Sequence, residues 1–378
     1  MTHYYAHLAQ VSNRFAQALE QNELDAVLIY SGNQSYAFRD DNSLPFKINP
    51  YFKYWLPLTE QQGAFLWIKP GQRPRLFLQL KQDYWHAQPV VPDGEWQAFF
   101  DIQIIDRPEA VFTALSIDVT RTAIIGELTT IANALPNWPT QNLNHTGLLD
   151  YLDYYRAYKT PYEIDCLRQA NKLAAKAHKA AKHTFFQGCS ELEVHLAYLS
   201  ELQVRESDLP YNNIIAFNEN AAVLHYDQYQ ITTPKTRRSF LIDAGASYQG
   251  YHADISRTYI DPKADNGNEF QAMFACYERL YHSLIDQIQI GKGYLSLHDS
   301  AHRKLSQLLV DFDILKCSGE DAYQSGYSRL FFPCGTGHYI GLQVHDVGGH
   351  LASANGDRLA KDPRYPFLRL MRPIEENT

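Results

Sequence analysis

Asp243 and Asp254 lie in the stretch Ser239–Tyr259, which reads as two strands joined by a turn containing Gly245 and Gly250. With the turn centred between Tyr248 and Gln249, Ile242 pairs with Ile255, Leu241 with Ser256 and Asp243 with Asp254. The two carboxylates then face each other with β-carbons roughly 4.5–5.5 Å apart, a destabilising arrangement that a bound cation relieves. Hard carboxylate oxygens suit manganese or magnesium, or zinc with help from nitrogen. Two solvated loop aspartates are the alternative, and a bulge would change the register. A second constellation, Phe331–Gly349, sets His338 and His345 among glycines that allow close backbone approach to a ligand, with Cys334 near its start. Imidazole is the commonest metal ligand and a proton carrier near neutral pH. A third histidine, His225, falls in the apolar run Ala221–Tyr226, read as a short strand. Any one of these histidines, taken alone, more often serves a buried structural role.

These residues need a scaffold, and the sequence divides into two parts that could supply it. The apolar runs Leu24–Tyr30, Gly63–Ile68, Arg75–Leu78 and Ala123–Ile125, separated by amphipathic stretches, suggest a mixed α/β domain over residues 1–157. The aromatic and proline-rich Pro45–Phe52 reads as an ordered loop. A second domain, 158–378, opens on Thr160-Pro161-Tyr162-Glu163, an N-cap threonine with a proline at the first helical position and a glutamate at the third. Ile164, Leu167, Ala170, Ala174, Ala177 and Ala181 follow at helical spacing. Lys172, Lys176, Lys179 and Lys182 read as the solvated face of that helix, with a phosphate-binding stripe as the sharper alternative. Ser190-Glu191-Leu192-Glu193 caps a second helix after Gly188.

Composition narrows the function classes. Lys+Arg 34 against Asp+Glu 42 leaves a formal charge of −8, the wrong sign for a generic nucleic-acid or anionic-membrane binder. No basic start leads into an apolar run at the N-terminus, and no uncharged apolar stretch approaches a membrane span, so neither a signal peptide nor a membrane helix is expected. The five cysteines, Cys166, Cys189, Cys276, Cys317 and Cys334, are scattered and never form a CxxC pair, as expected of a reducing cytoplasm.

Three motifs taken in order, Asn218–Asn220 with Ala222–Tyr226, LIDAG…HADISRTY, and GHYIGLQVHDVGG, resemble those of the pita-bread metallopeptidases. The likeness is greatest to bacterial Xaa-Pro dipeptidases (prolidases) and the related organophosphorus acid anhydrolases. It covers nearly the whole chain, including the stretch from Ser31 to Pro57 and the YYRAYKTPYE boundary. The resemblance implies a creatinase/prolidase-like α/β N-terminal domain followed by an α+β pita-bread catalytic domain. It also implies a cytoplasmic homodimeric hydrolase that uses two divalent ions, commonly manganese, to cleave dipeptides ending in proline. Phosphotriester hydrolysis would be a possible side activity. By motif, Asp243, Asp254 and His338 would be metal ligands. His225 and His345 would bind substrate and handle protons, and Tyr211, Cys334 and Asp41 would border the substrate, Asp41 across a dimer interface.

The chain departs from the family pattern in two places. The family's two glutamate ligands lie on strands beyond Pro373–Thr378, and neither Glu375 nor Glu376 takes their place, so the catalytic domain reads as truncated at its C-terminus, with exposed apolar sheet edges. Cys334 stands where the family usually has a histidine, and a thiol is a weak hydrogen-bond donor. These departures give an expectation of little or no peptidase activity and bring forward a second reading, a catalytically inactive pita-bread relative acting as a binding module. A third, metal-free creatinase-like hydrolysis, is opposed by the retained aspartates.

Overall fold

The computed structural model describes residues 2–80, 84, 85, 87, 90–127, 138–264 and 267–378. Its contacts group into two compact units. The first comprises Met1–Arg156, Thr160–Cys166 and Ser353–Gly356; the second comprises Ala157–Lys159, Leu167–Ala352 and Asp357–Thr378.

In the first unit α1 (Thr2–Gln21) buries Leu8, Val11, Phe15, Ala18 and Leu19, the i, i+3, i+4 stripe of an amphipathic helix. A mixed sheet follows, built from β1 (Ala26–Tyr30), β2 (Phe65–Ile68), β3 (Arg75–Gln79), β4 (Asp101–Ile105) and β5 (Thr122–Ile125) in the order β4-β3-β2-β1-β5. Every residue of β1 is buried, which is why it reads as an uninterrupted apolar run. Helices α2 (Pro50–Lys53), α3 (Ala110–Ala114) and α4 (Thr146–Arg156) complete the unit. The Pro45–Phe52 segment is ordered as expected, but from Pro50 it turns into α2, with the Asn49 side chain accepting the Tyr51 N–H. Strand β4 was not foreseen. It is an edge strand paired with β3 alone, only Ile105 is buried, and so it lacks the apolar run that marks its neighbours.

The second unit takes most of α5 (Pro161–Phe186), then α6 (Glu191–Leu202), β6 (Ile214–Phe217), β7 (Ser239–Ala244), the short pair β8 (Ser247–Tyr248) and β9 (Tyr251–His252), and β10 (Ile255–Ile260). Helices α7 (Gly267–Ile285), α8 (Tyr294–Asp311), α9 (Gly319–Gln324) and α10 (Ser328–Phe331) follow. Both foreseen capping boxes form. Thr160 N–H donates to Glu163 Oε2 at 2.9 Å while Glu163 N–H donates to Thr160 Oγ1 at 3.3 Å, and Ser190 and Glu193 make the same reciprocal pair. The α5 alanines 170, 174, 177 and 181 are fully buried, and Lys172, Lys176, Lys179 and Lys182 are all exposed, so the lysines form a solvated face. Ala177, Ala181 and Phe185 of α5 join Val194 and Tyr198 of α6 against Ile215, Phe217, Phe240, Ile242 and Ala244 of the sheet.

The antiparallel sheet has the order β10-β7-β6, and its register corrects the sequence expectation. Ser256, not Asp254, lies opposite Asp243, and Ile255 pairs with Ala244. The turn sits one residue later than expected, on Gln249 and Gly250, both with positive φ (51° and 82°), the pattern of a tight two-residue hairpin turn. Because side chains alternate along a strand, burying Phe240, Ile242 and Ala244 under the helices puts Asp243 on the opposite face. Asp254, two residues before the partner of Asp243, becomes its diagonal neighbour on that same face. Strand β10 is the sheet edge, and its Ser256 and Arg257 are exposed. The run Ala221–Tyr226 is not a strand. Residues Asn218–Ala222 form a 3-10 helix, and His225 follows in an exposed turn.

Candidate metal centre

The hairpin, the Phe331–Gly349 loop and the residues before β6 converge on one side of the second unit. The Tyr211 hydroxyl lies 2.6 Å from Asp243 Oδ1 and 2.7 Å from Asp254 Oδ1, tying the two carboxylates together. Its approach depends on Gly245, where a β-carbon would stand 2.1 Å from the Ala253 carbonyl oxygen and 2.9 Å from the Tyr211 ring. His338 Nε2 is 3.1 Å from Asp254 Oδ2, and its Nδ1 donates to the Tyr339 carbonyl at 2.8 Å. His345 packs edge-on to His338, with ring centroids 4.4 Å apart.

The electrostatics follow from these contacts. Burial raises the Asp243 carboxyl above its ordinary range and the Asp254 charge adds to the rise, with only partial relief from Tyr211. Asp254 is also desolvated, yet its hydrogen bonds to His338 and Tyr211 outweigh that and hold it low. One carboxyl of the pair therefore keeps a proton more readily than the other, as expected of like charges sharing a site. Desolvation works against the charged form of His338, but its bonds to Asp254 and the Tyr339 carbonyl leave it raised. His345 is lowered, by desolvation of its ring first and then by His338, so it is a neutral base at pH 7.

These donors suit a divalent cation. Oxygen or nitrogen atoms of Asp254, His338 and His345 all lie within 4.8 Å of one another, the one such group among the described residues. Asp243 stands beside that group through its shared Tyr211 contact. Mixed carboxylate and imidazole donors are those that manganese and zinc accept. His345, read from the sequence as a substrate-side residue, thus joins the potential donors. Cys334 is exposed and not among them, and desolvation together with the Asp243 charge pushes its thiol up, so it is not a thiolate at neutral pH. Glu375 is engaged elsewhere, accepting from Tyr158 and Arg372, in keeping with its exclusion as a ligand. His225 is close enough for its charge to act on His345. Asp41 belongs to the first unit, in an exposed loop.

One residue behind the site escaped sequence reading. Glu191, fully buried, accepts from Phe217 N–H (2.7 Å) and Asn220 Nδ2 (2.9 Å) on one oxygen, and from Tyr226 Oη and Gln230 N–H (both 2.8 Å) on the other. The sequence marks it only as an acidic residue in the first turn of a capped helix, yet it organises the whole loop that carries His225. Glu191→Gln turns two acceptor positions into an NH2 facing donors, and is expected to cost about 2–4 kcal/mol, read as a lower denaturant midpoint at unchanged slope.

Comparison with known proteins places this geometry. Residues 2–154 match the N-terminal domain of Xaa-Pro dipeptidases, and residues 165–363 match metallopeptidase family M24. Xaa-Pro dipeptidase 2 of Idiomarina loihiensis is 45% identical over 376 residues, covering 99% of this chain and 84% of that protein. The Xaa-Pro dipeptidase of Xanthomonas campestris pv. campestris strain 8004 is 43% identical over 373 residues, covering 98% and 82%. Among solved structures, aminopeptidase P from E. coli in its low-pH form has the same two-domain pita-bread fold, with a TM-score of 0.74 at 22% identity over 93% of this chain and 84% of that one. The match spans 99% of this chain and 84% of that relative, and a relative named for Xaa-Pro dipeptidase activity does not favour the inactive binding module over an enzyme. With both halves matched in order and the aspartate–histidine cluster assembled, the chain belongs to the Xaa-Pro dipeptidases of metallopeptidase family M24.

Proposed function

We propose that the protein hydrolyses dipeptides whose second residue is proline, using divalent ions held by Asp243, Asp254 and His338. The observation that carries this reading is the joining of Asp243, Asp254 and His338 on one face, in a chain 45% identical to a Xaa-Pro dipeptidase. A divalent ion there supplies Lewis acidity toward the peptide carbonyl and a water of lowered pKa. The chain's own groups do the rest. Asp254 and His338 hold each other in register, and Tyr211 keeps the two carboxylates in place. His345, neutral at pH 7, would accept the proton that the attacking water gives up, and His225 is close enough for its charge to act on it. In this reading Cys334 and Asp41, both exposed, border the substrate, Asp41 across the interface of a homodimer, as the family resemblance implies.

Manganese is the metal of this reading, and two ions would be held by Asp243, Asp254 and His338, whose mixed carboxylate and imidazole donors manganese accepts. Phosphotriester hydrolysis is a side activity of the same centre, since a tetrahedral phosphorus resembles attacked carbon. A cytoplasmic location accords with the free cysteines found among the described residues. No described helix is long and apolar enough to cross a membrane. The test is proline release from Ala-Pro or Leu-Pro by the purified chain with manganese, with Ala-Ala as control and metal counted by mass spectrometry. Proline release abolished by EDTA, with two ions bound per chain, is expected. No release at any manganese concentration would overturn the hydrolase reading, and one ion per chain would overturn the two-ion centre alone.

A further inference from the structure

We propose that Lys159 is a positioning residue for the His338–His345 loop, fixing it through a buried ion pair with Asp346; the inference rests on the reading of His338 as a metal ligand. Lys159 Nζ lies 3.0 Å from Asp346 Oδ2, and the two side chains are only 6% and 2% exposed. Two charges removed from water are costly unless their geometry is well satisfied, so a pair kept in this state calls for a role beyond solubility. The backbone supplies one. Asp346 N–H donates to the Tyr339 carbonyl at 2.9 Å, closing the loop on itself. The same carbonyl accepts from His338 Nδ1 at 2.8 Å, which fixes the imidazole with Nε2 directed at Asp254. A line of contacts thus runs from the Lys159 ammonium through Asp346 and the Tyr339 carbonyl to the tautomer of His338.

The loop is shaped around this pair. A β-carbon on Gly341 would stand 2.2 Å from Asp346 Oδ2 and 3.0 Å from Lys159 Cε, so no other residue fits there without displacing the ion pair. The Gly341 carbonyl accepts from His252 N–H at 3.0 Å, linking the loop to the hairpin that carries the aspartates. Lys159 is held in turn by its own backbone N–H, which donates to the Asn377 carbonyl at 2.7 Å. Groups that orient a ligating imidazole typically change metal affinity by about 10–100-fold when removed.

The test compares Lys159→Met, Asp346→Asn and the double variant Lys159→Met/Asp346→Leu with the parent, and runs Asp254→Asn and His338→Ala in parallel. The double variant removes both members of the buried pair together, so it is expected to perturb folding less than Lys159→Met, which leaves the Asp346 charge buried. Readouts are manganese affinity by calorimetry, the His338 tautomer by long-range 15N NMR of the metal-free chain, melting temperature, and kcat and KM separately. Expected are, at a pH high enough for the His338 ring to be neutral, a single Nδ1–H tautomer in the parent and a tautomer mixture in the variants, with manganese affinity weaker by about 10–100-fold and a fall in kcat with little change in KM. A double variant with parental tautomer and manganese affinity would overturn the proposal, leaving Lys159 a purely structural residue. If Asp254→Asn and His338→Ala also bind manganese like the parent, it is the metal-site reading that fails.

Discussion

Asp243→Asn is expected to raise the melting temperature of the metal-free chain by a few degrees while lowering manganese-dependent dipeptide hydrolysis by about 10²–10³-fold or more. The two changes come from one carboxylate. In the metal-free chain Asp243 is raised by burial first and by the Asp254 charge second. A folded-state value above the unfolded one means that the native state binds this proton more tightly. The stabilisation it brings is complete below the ordinary carboxyl range and is lost as pH rises through the folded value, so above that range Asp243 as an acid weakens the fold. Asparagine removes the acid and keeps an oxygen for the Tyr211 hydroxyl, now at 2.6 Å from Asp243 Oδ1. With manganese present the order reverses. Binding to the native state alone stabilises it in proportion to the logarithm of ligand concentration over Kd, and a centre short of one anionic oxygen loses most of that gain. Calorimetric melts in EDTA and in excess manganese check both halves. A variant that melts below the parent in EDTA would show that Asp243 is not repelled in the empty site, and one that keeps the parent's manganese-induced shift would show that it is not used in the filled one.

The same region shows how far the sequence could be read. Facing strands, the pair of aspartates and the histidine loop were legible because each leaves a local signature: alternation, glycine at a turn, a ring among small residues. The register was not, because the turn occupies Gln249 and Gly250, and a glutamine in left-handed backbone leaves no compositional mark. Moving the turn by one residue changes Asp243 and Asp254 from opposite to diagonal neighbours, still close enough for Tyr211 to span them. His225 was placed on a strand because Ala221–Leu224 is apolar; what decides its conformation is Glu191, which lies far back in sequence and gathers four donors from the loop. Lys159 and Asp346 were equally silent, since a buried pair between distant segments has no local pattern. Strand β4 shows the reverse limit, a weakly apolar edge whose strand state comes from pairing with β3 rather than from its own residues.

Acidification from pH 6.5 to 4 is expected to destabilise the chain steeply, through two histidines that take no part in the proposed chemistry. His298 and His302, one turn apart on α8, are each 1% exposed, with ring centroids 4.6 Å apart. Tyr365 stacks on His302 at 4.9 Å and meets His298 edge-on at 4.4 Å, and Phe332 lies against both. Burial lowers both imidazoles to about 4. His302 adds to the effect on His298 and Arg329 to that on His302, while Asp299, and Asp362 for His298, oppose it. A histidine depressed in the native state is protonated first in the unfolded chain. Its contribution is complete above pH 6.5 and is lost as pH falls toward the folded value of about 4. A single group displaced from 6.5 to about 4 accounts for about 3 kcal/mol over that window, and the coupled pair for less than twice as much. Function should fail with stability, because His298 Nδ1 lies 3.3 Å from Thr336 Oγ1, just ahead of His338 in the metal loop. His302→Phe keeps an aromatic face toward Tyr365 but leaves Ser328 Oγ, now 3.0 Å from His302 Nδ1, without its partner. It should therefore melt lower at pH 7 by the cost of one buried hydroxyl, about 1–3 kcal/mol, yet lose less on acidification than the parent. Denaturant midpoints from pH 7.5 to 4 separate the two effects, and parallel curves for parent and variant would show that the acid sensitivity arises elsewhere in the fold.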